Sequence, residues 1–345
     1  MSPETMRARA AALLVALGVG EDCVISPLPG SRDQRTFKCR HRGQELVLKG
    51  YPPADSEPGA IDPFESEVAF YDYLESCQVG GVAQARGWDG EQRLGIFTFW
   101  QGRTPKPVEL GSDFVRATGQ FIATINLSRH KLPAALPALP VRERSVSALL
   151  ASINQALLAG LPETLEVIEP LKAFWEEDLV PAWHEVMKGT LSGFDLANQD
   201  PTQTLPEAMP LITPGDLSVE NTLIGPNKQY GFFDFEHAAW TDPACLIARF
   251  FCRMDTQDRA ALLPDFMEAL EGIPDLHPLA AIRSRLLLPA VHMEQALLEL
   301  FDTQQWESLE SVTREADATH RVGWMERLGA SRKRVKRALL MLGQA

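Results

Sequence analysis

The pattern of apolar residues changes at a short linker, residues 103–110, and this change constrains the fold more than any other feature of the chain. Before the linker, short apolar runs are separated by turn residues, as at Arg42-Gly43-Gln44 and Asp89-Gly90, which is typical of strands joined in hairpins. After it, apolar residues recur mainly at helical spacing. The sequence therefore predicts a strand-rich part over residues 1–102 and a mainly helical part over residues 103–345.

One helix interrupts the strand-rich part. Strands are predicted over residues 24–28, 36–41, 45–51, 84–88 and 92–100. The helix, residues 64–77, follows Asp62 and Pro63, which suit the N-cap and the first helical position. Further helices are predicted over about 112–128, 145–160, 163–188, 243–270, 276–302 and 305–343. Residues 209–235 break this series with apolar runs and turn residues, which indicates a loop followed by a short hairpin in an α+β fold.

Composition excludes several classes of function. A chain of 345 residues, 45% of them apolar, can bury a large core. The net charge of −13 argues against binding to nucleic acid or to an anionic membrane, and no apolar run reaches the roughly 18 residues of a transmembrane helix. The five cysteines form no C-x-x-C pair, so we expect reduced thiols, and residues 10–20 are predicted as an amphipathic helix rather than a secretory signal. We therefore expect a cytoplasmic protein without a nucleic-acid or membrane partner.

Four segments carry residue types that phosphoryl transfer needs. They are Leu28-Pro29-Gly30-Ser31, Lys49 at the end of the predicted strand Leu46-Val47-Leu48, Gly215–Asn221 and Phe232–Glu236. The reaction depends on positioning and charge neutralisation more than on covalent chemistry. A strand lysine can hold nucleotide phosphates if a carboxylate orients it, and the predicted helix supplies either Glu65 or Glu67. The turn at Gly30 and Ser31 lets backbone N–H groups approach phosphate oxygens.

The other two segments supply oxygen ligands and a base. Mg²⁺ prefers oxygen ligands and keeps few protein ones, and Asn221 and Asp234 offer an amide oxygen and a carboxylate. Asp216 lies on the same loop as Asn221, where it could orient an acceptor hydroxyl and accept its proton. Glu236 is either a second carboxylate beside the metal or a structural hydrogen-bond acceptor.

These segments together resemble the aminoglycoside phosphotransferase and choline kinase superfamily. The resemblance rests on Pro214–Asn221, Phe233–Glu236, Asp242-Pro243-Ala244, Val47-Leu48-Lys49 and Glu67–Phe70, and it covers about residues 10–300. The usual catalytic pattern of that superfamily is H-G-D-x-x-x-x-N, followed by I-D-[FW]-E and D-P-A segments. The resemblance implies a protein-kinase-like two-lobed fold, with a small lobe built on a five-stranded antiparallel sheet and one helix, and a larger, mainly helical lobe.

The resemblance also implies roles for single residues. Asp216 matches the catalytic aspartate, and Asn221 and Asp234 match the magnesium ligands. Lys49 matches the lysine that contacts the nucleotide phosphates, and Glu67, rather than Glu65, matches its ion-pair partner. Gly30 and Ser31 match the glycine-containing turn of the small lobe, and Phe99, Trp100 and Gln101 match the hinge where adenine or guanine binds.

Three departures from the family pattern leave a second function open. Pro214 replaces the histidine before Gly-Asp, Ile125-Asn126 replaces a leucine-histidine pair, and Cys245–Ala248 lacks the usual second aspartate. They motivate an alternative, a catalytically weak or inactive kinase-like protein that binds nucleotide or acts as a scaffold. A third candidate, a metal-dependent hydrolase using Asp216, Asp234 and Glu236, ranks last because it makes no use of Lys49.

The leading expectation is a small-molecule kinase that uses ATP or GTP with Mg²⁺. It would transfer the γ-phosphate to the hydroxyl of an aminoglycoside, an amino alcohol or a sugar-like acceptor. The acidic residues between Glu163 and Asp178 could attract a cationic acceptor, although a solvated helix face is the favoured explanation for them.

Overall fold

The computed structural model describes residues 11–12, 14–15, 24–28, 35–41, 43–53, 62–131, 136–137, 142, 144–161, 168–206, 209–254, 259–301 and 320–342. The strands are β1 (Val24–Pro27), β2 (Thr36–His41), β3 (Gln44–Gly50), β4 (Ala85–Asp89), β5 (Leu94–Thr98), β6 (Leu211–Thr213), β7 (Thr222–Ile224), β8 (Tyr230–Phe232) and β9 (Ala239–Thr241). The helices are α1 (Pro63–Ser76), α2 (Ser112–Leu127), α3 (Val146–Leu158), α4 (Glu169–Ala173), α5 (Val180–Leu196), α6 (Pro243–Arg253), α7 (Arg259–Leu270), α8 (Ala280–Leu300) and α9 (His320–Leu342), with a π-helical turn at Phe174–Leu179 between α4 and α5.

The first five strands form one antiparallel sheet in the order β1-β2-β3-β5-β4. Successive side chains of a strand point to opposite faces, so the register that pairs Leu48 with Phe37 and Ile96 collects these three residues on one buried face. Lys49, the next residue of β3, points to the other face. The predicted strands and the predicted α+β fold are confirmed.

Helix α1 covers the sheet face that carries Lys49. Its Tyr71 ring packs against Trp88 of β4 and Phe97 of β5, with ring centroids 5.9 and 5.0 Å apart. Asp62 caps the helix by accepting hydrogen bonds from the backbone N–H groups of its first turn, and Pro63 occupies the first helical position as predicted. Arg93 donates two hydrogen bonds to the same carboxylate, at 2.9 and 2.6 Å.

The hairpin β7–β8 is joined to the segments that flank the sheet. The Phe232 N–H donates to the Gly81 carbonyl at 2.8 Å, and Ile224 exchanges two backbone hydrogen bonds with Arg103. Phe121 of α2 stacks on Phe232 with ring centroids 4.4 Å apart. These contacts fix the hairpin that separates Asn221 from the acidic segment after β8. Strands β6 and β9 form a further two-stranded sheet.

Helices α3, α5, α6, α8 and α9 share a separate apolar core. Two predicted helix boundaries in this part are wrong. The helix predicted to end at residue 188 continues to Leu196, because Thr190 and Phe194 are buried in its last turns. The helix predicted over 243–270 is two helices, since α6 ends at Arg253 and Met254 has an extended backbone; a polar stretch, Asp255-Thr256-Gln257-Asp258, follows it in sequence.

The chain divides into two compact units. The first comprises Met1–Ala138, Ile212–Trp240 and Thr256–Pro274, and the second comprises the rest. The first segment of this unit continues past residue 102. The division into units therefore does not test the boundary between lobes that was expected at residue 102, and that boundary stays a prediction. Among the described residues, no helix combines the length and apolarity needed to cross a membrane.

The expectation of reduced thiols is wrong for one of the described cysteines. Cys77, Cys245 and Cys252 carry reduced thiols, whereas Cys39 is disulfide-bonded. Cys39 lies in β2, where it is paired with Ile25 of β1 and Leu46 of β3.

Candidate active site

Lys49 lies at the centre of a cluster of three carboxylates. Its Nζ is 2.6 Å from Glu67 Oε2 and 3.1 Å from Glu236 Oε2, and it also donates a short hydrogen bond to Asp234 Oδ1. Only 14% of the Lys49 side chain is exposed. The three carboxylates come from α1 and from the segment after β8, so the cluster joins parts of the chain that are far apart in sequence.

Glu67 is the most buried member of the cluster and uses both of its oxygens. Oε2 accepts hydrogen bonds from Lys49 and from the Tyr51 hydroxyl at 2.8 Å, while Oε1 accepts one from the Phe235 N–H at 3.0 Å. Glu65, the other carboxylate that the sequence left open, is exposed on the same helix. The structure thus brings Glu67, not Glu65, to Lys49.

Opposing effects of burial and charge set the ionisation of the cluster. Burial alone would lower the pKa of the Lys49 ammonium, but Glu67, Asp234 and Glu236 together hold that pKa well above its usual range. Burial raises the pKa of the Glu67 carboxyl, and the Lys49 ammonium opposes this effect. Burial and the nearby Glu67 also raise the pKa of the Tyr51 hydroxyl, so Tyr51 stays protonated as a donor.

Asp234 is held in an unusual backbone conformation. Its φ is 68°, in the left-handed region that aspartate adopts more readily than most residues. Of its side chain, 37% is exposed, and Oδ2 has no hydrogen-bond partner among the described residues. Such conformations cost free energy and cluster at functional sites. Here the conformation turns the carboxylate back toward Lys49 while the next residue, Phe235, enters the core.

The loop that carries Asp216 has its own internal support. The Thr213 hydroxyl accepts a hydrogen bond from the Gly215 N–H at 3.2 Å. Gly215 has a φ of +95°, and a Cβ added there would lie 2.8 Å from the backbone of His237. A side chain at position 215 is therefore disfavoured both by conformation and by space. Pro214 is buried between these residues and contributes no N–H.

Asn221 is oriented by the same loop. Its Nδ2 donates to the Asp216 carbonyl oxygen at 3.1 Å, and its own carbonyl accepts from the Phe233 N–H at 3.3 Å. The first bond orients the side-chain amide so that Nδ2 is the donor to the loop, and Oδ1 remains available as a metal ligand. The second places Asn221 opposite Phe233, one residue before Asp234.

The residues predicted to contact the nucleotide base occupy different environments. The Phe99 ring lies 3.8 Å below the Lys38 ammonium, and Gln101 is exposed. The Trp100 indole packs on the β7–β8 hairpin, where a Cβ added at Gly231 would lie 2.7 Å from it. Gly30 and Ser31 lie outside the described residues, so their role stays a prediction.

Two functional contacts were not predicted from the sequence. Glu236 forms an ion pair with Lys49, and Tyr51 donates to Glu67. The alternation of β3 carried a signal for the second contact, because residues 49 and 51 lie two apart and share a face of the strand. The first contact depends on the path of the chain after β8, for which the sequence offered no signal.

Comparisons with known proteins give the same class of protein as the fold and this cluster. The profile of the phosphotransferase enzyme family matches residues 24–282. No curated protein matches the chain in sequence. Among solved structures, choline kinase LicA from Streptococcus pneumoniae aligns with a TM-score of 0.58 at 13% identity, over 96% of this chain and 99% of that one.

Two other solved structures are similar. An ethanolamine kinase from Plasmodium vivax has a TM-score of 0.60 at 12% identity, over 97% of this chain and 88% of that one. The ADP-bound aminoglycoside phosphotransferase APH(2'')-Ib has a TM-score of 0.53 at 14% identity, over 94% of this chain and 98% of that one. At these identities the likeness establishes the fold, and it confirms the predicted protein-kinase-like architecture.

The fold and the family match define a phosphotransferase. The chain belongs to the phosphotransferase enzyme family. This confirms the predicted class of enzyme, a phosphotransferase.

Proposed function

We propose that the protein is a kinase that transfers the γ-phosphate of ATP or GTP to the hydroxyl group of a small acceptor. The observation that carries the proposal is the position of the Lys49 ammonium, which Glu67 orients from α1 and which faces Asp234 and Glu236. Phosphoryl transfer is catalysed by such positioning and charge neutralisation. The ADP in one similar phosphotransferase supports a nucleotide co-substrate.

The donor set fits a magnesium ion. Oxygens of Glu67, Asp234 and Glu236 lie within 4.8 Å of one another, and Mg²⁺ prefers such hard oxygen ligands. Glu67 is already engaged by Lys49, Tyr51 and the Phe235 amide, so Asp234 is the better carboxylate ligand, together with Asn221 Oδ1 and with Glu236 as a further candidate. When bound, Mg²⁺ would neutralise negative charge on the phosphate oxygens.

Lys49 would hold the nucleotide phosphates as a fixed point charge. Because its pKa is raised, the ammonium stays charged throughout the physiological range. Because the buried Glu67 holds the Lys49 ammonium, the ammonium would keep its position when Asp234 and Glu236 bind a cation. Phe99, Trp100 and Gln101 are the proposed neighbours of the nucleotide base, and Gly30 and Ser31 of its phosphates.

Asp216 is the proposed base. It would accept the proton of the acceptor hydroxyl as that oxygen attacks the γ-phosphate, and would align the oxygen for the attack. The bonds at Gly215 and Asn221 on either side of it hold the loop in one conformation. Such pre-alignment is the main contribution that a protein makes to this reaction.

The acceptor is a small hydroxyl-bearing molecule, and a cationic one is consistent with the net charge of −13 and with the exposed side chains of Glu176, Glu177 and Asp178. The similar structures include choline, ethanolamine and aminoglycoside kinases. The panel of candidate acceptors should therefore hold amino alcohols and aminoglycosides beside neutral sugars, with each compound tested against ATP and GTP.

The test is phosphate transfer to this panel by the wild-type protein and three variants. Asp216→Ala should abolish turnover and leave nucleotide binding within about twofold, whereas Asp234→Ala should remove the magnesium dependence of nucleotide binding. Glu220→Gln, an exposed change on the same loop, is the matched control and should be neutral. Undiminished turnover in Asp216→Ala would exclude Asp216 as the base.

One observation favours a second candidate, a kinase-like protein that binds nucleotide without turnover. Pro214 stands where the family pattern has a histidine, so a polar side chain of the loop is missing. The same assay separates the two candidates. A protein that Mg-ATP or Mg-GTP stabilises against heat, but that transfers no phosphate to any acceptor and hydrolyses none to water, would be the binding protein.

A further inference from the structure

Asn126, near the end of α2, makes a two-point contact with strand β6. Its Oδ1 accepts a hydrogen bond from the Ile212 N–H at 2.8 Å, and its Nδ2 donates to the Ile212 carbonyl oxygen at 3.0 Å. Nδ2 also donates to the Ile122 carbonyl, one helical turn earlier, at 2.9 Å. Neither Asn126 nor Ile212 has any exposed surface. Both polar atoms of the Asn126 side-chain amide are thus buried and hydrogen-bonded to the backbone.

The geometry of this contact requires a primary amide. In an extended strand, the N–H and C=O of one residue point to the same side. A side-chain amide carries a donor and an acceptor next to each other, so it can satisfy both groups as a neighbouring strand would. A carboxylate at position 126 keeps the acceptor but loses both donors, and an aliphatic side chain loses all three bonds and leaves the buried groups of Ile212 unsatisfied.

Strand β6 leads directly into the loop of the proposed base. Ile212 is followed by Thr213, whose hydroxyl accepts from the Gly215 N–H, and Asp216 comes next. Pro214, between them, has no N–H and no polar side chain with which to anchor the loop. The loop before Asp216 is therefore held by Asn126 acting on Ile212 and by Thr213 acting on Gly215.

We propose that Asn126 is a positioning residue for the Asp216 loop. It fixes the position of β6 relative to α2. Through Thr213 and Gly215 it thereby fixes the position of the Asp216 carboxylate. This role rests on the proposed function, in which Asp216 is the base. It also explains how a loop without the family histidine is kept in one conformation.

The test compares two variants at position 126 with a control on the same helix. Asn126→Asp is nearly isosteric and removes the donors, and Asn126→Leu removes all three bonds. Thr118→Val is the control, because the buried Thr118 hydroxyl donates to the Phe114 carbonyl of its own helix, at 2.9 Å, and not to β6. Turnover, the nucleotide KM, the thermal midpoint and amide hydrogen exchange are measured for each.

A positioning role predicts a loss in kcat rather than in nucleotide affinity. We expect kcat to fall about 10- to 100-fold in Asn126→Asp, with the nucleotide KM within about twofold, because a small displacement of a catalytic group has effects of this size. Hydrogen exchange of the Ile212 and Gly215 amides should accelerate together. Thr118→Val should lose thermal stability and keep both kcat and the exchange rates at Ile212 and Gly215.

Several outcomes would overturn the proposal. Wild-type kcat in folded Asn126→Asp or Asn126→Leu would mean that the contact only joins α2 to β6, and so would unchanged exchange at Gly215. If Asn126→Leu does not fold, Asn126→Asp decides. If the wild-type protein has no turnover, the proposed function fails, and the exchange of Gly215 in Asn126→Asp still shows whether Asn126 controls the loop.

Discussion

The Phe235 N–H donates to Glu67 Oε1 at 3.0 Å, so one carboxylate serves both the lysine of β3 and the acidic segment after β8. A buried carboxylate shared in this way is energetically coupled to both partners. Variants that remove the charge of Glu67 but keep an acceptor for the Phe235 N–H can separate the contribution of the ion pair with Lys49 from that of the backbone hydrogen bond.

The first prediction is a strong coupling between Lys49 and Glu67. Lys49→Met leaves a carboxylate that is only 2% exposed without its nearest cation, and removing one member of a buried ion pair costs about 3–5 kcal/mol. Glu67→Gln keeps an acceptor for Phe235. The loss of unfolding free energy in the double variant Lys49→Met/Glu67→Gln should be smaller than the sum of the two single losses by about 1–3 kcal/mol, measured by chemical denaturation. Simple additivity would contradict a direct ion pair.

The second prediction is an acid-dependent contribution from Asp62. The hydrogen bonds from Arg93 lower the pKa of the Asp62 carboxyl below its ordinary value of 3.8, and burial opposes this only in part. A depressed pKa means that the pair stabilises the fold above pH 3.8 and loses this effect as the pH falls below it. Asp62→Asn keeps the cap acceptor but not the charge. Its deficit in unfolding free energy should therefore be constant from about pH 5 to 8 and shrink below about pH 4.

The control for this experiment is Asp72→Asn, an exposed aspartate of the same helix with no ion pair among the described residues. It tests whether the deficit is specific to the Asp62–Arg93 pair. Asp62→Ala should lose about 1 kcal/mol more than Asp62→Asn at every pH, because the helix then lacks its cap. A deficit in Asp62→Asn that grows as the pH falls would contradict the assigned direction.

The third prediction concerns the two glycines Gly215 and Gly43. Both have a positive φ, +95° and +83°, but only at Gly215 would a Cβ strike other atoms. Gly43→Ala should cost about 1 kcal/mol, the penalty of the conformation alone. Gly215→Ala should cost more, about 2–3 kcal/mol, since the His237 backbone must also move. Unfolding free energies and turnover of both variants test this, and only Gly215→Ala should lose turnover.

The fourth prediction links a core residue to the proposed metal site. Phe235 is buried against Phe70, Tyr71 and Phe121, with ring centroids 5.0, 5.4 and 6.2 Å away, and it follows Asp234 directly. Phe235→Leu should cost about 1–2 kcal/mol and also weaken magnesium-dependent nucleotide binding, measured by calorimetry. Phe194→Leu, equally buried in the second unit, should cost a similar amount and leave that binding unchanged. Equal loss of binding in both variants would point to a general effect on stability.

Much of the fold could be predicted from local pattern. The alternation and turn residues before residue 102 predicted the strands, and Asp62 with Pro63 predicted the start of α1, because these signals act over a few residues. The end of α5 and the break after Arg253 escaped prediction. Both are decided by which side chains the surrounding helices bury, and that information is spread over the whole chain.

The candidate site was partly predictable for a similar reason. The order and spacing of Lys49, Asp216, Asn221 and Asp234 carried a family resemblance, and the structure brings Lys49 and Asp234 together. The role of Asn126 was not predictable, since the sequence showed only that Asn126 replaces the histidine of the family's leucine-histidine pair. Its two bonds to Ile212 exist because α2 and β6 meet in space, which no local pattern records.

The indole of Trp100 fills the space that a side chain at Gly231 would need. An alanine at position 231 would therefore require the outer edge of the Trp100 ring to move. The size of the side chain at position 100 thus limits what position 231 accepts, and Gly231→Ala should be tolerated better beside a smaller side chain at position 100 than beside tryptophan.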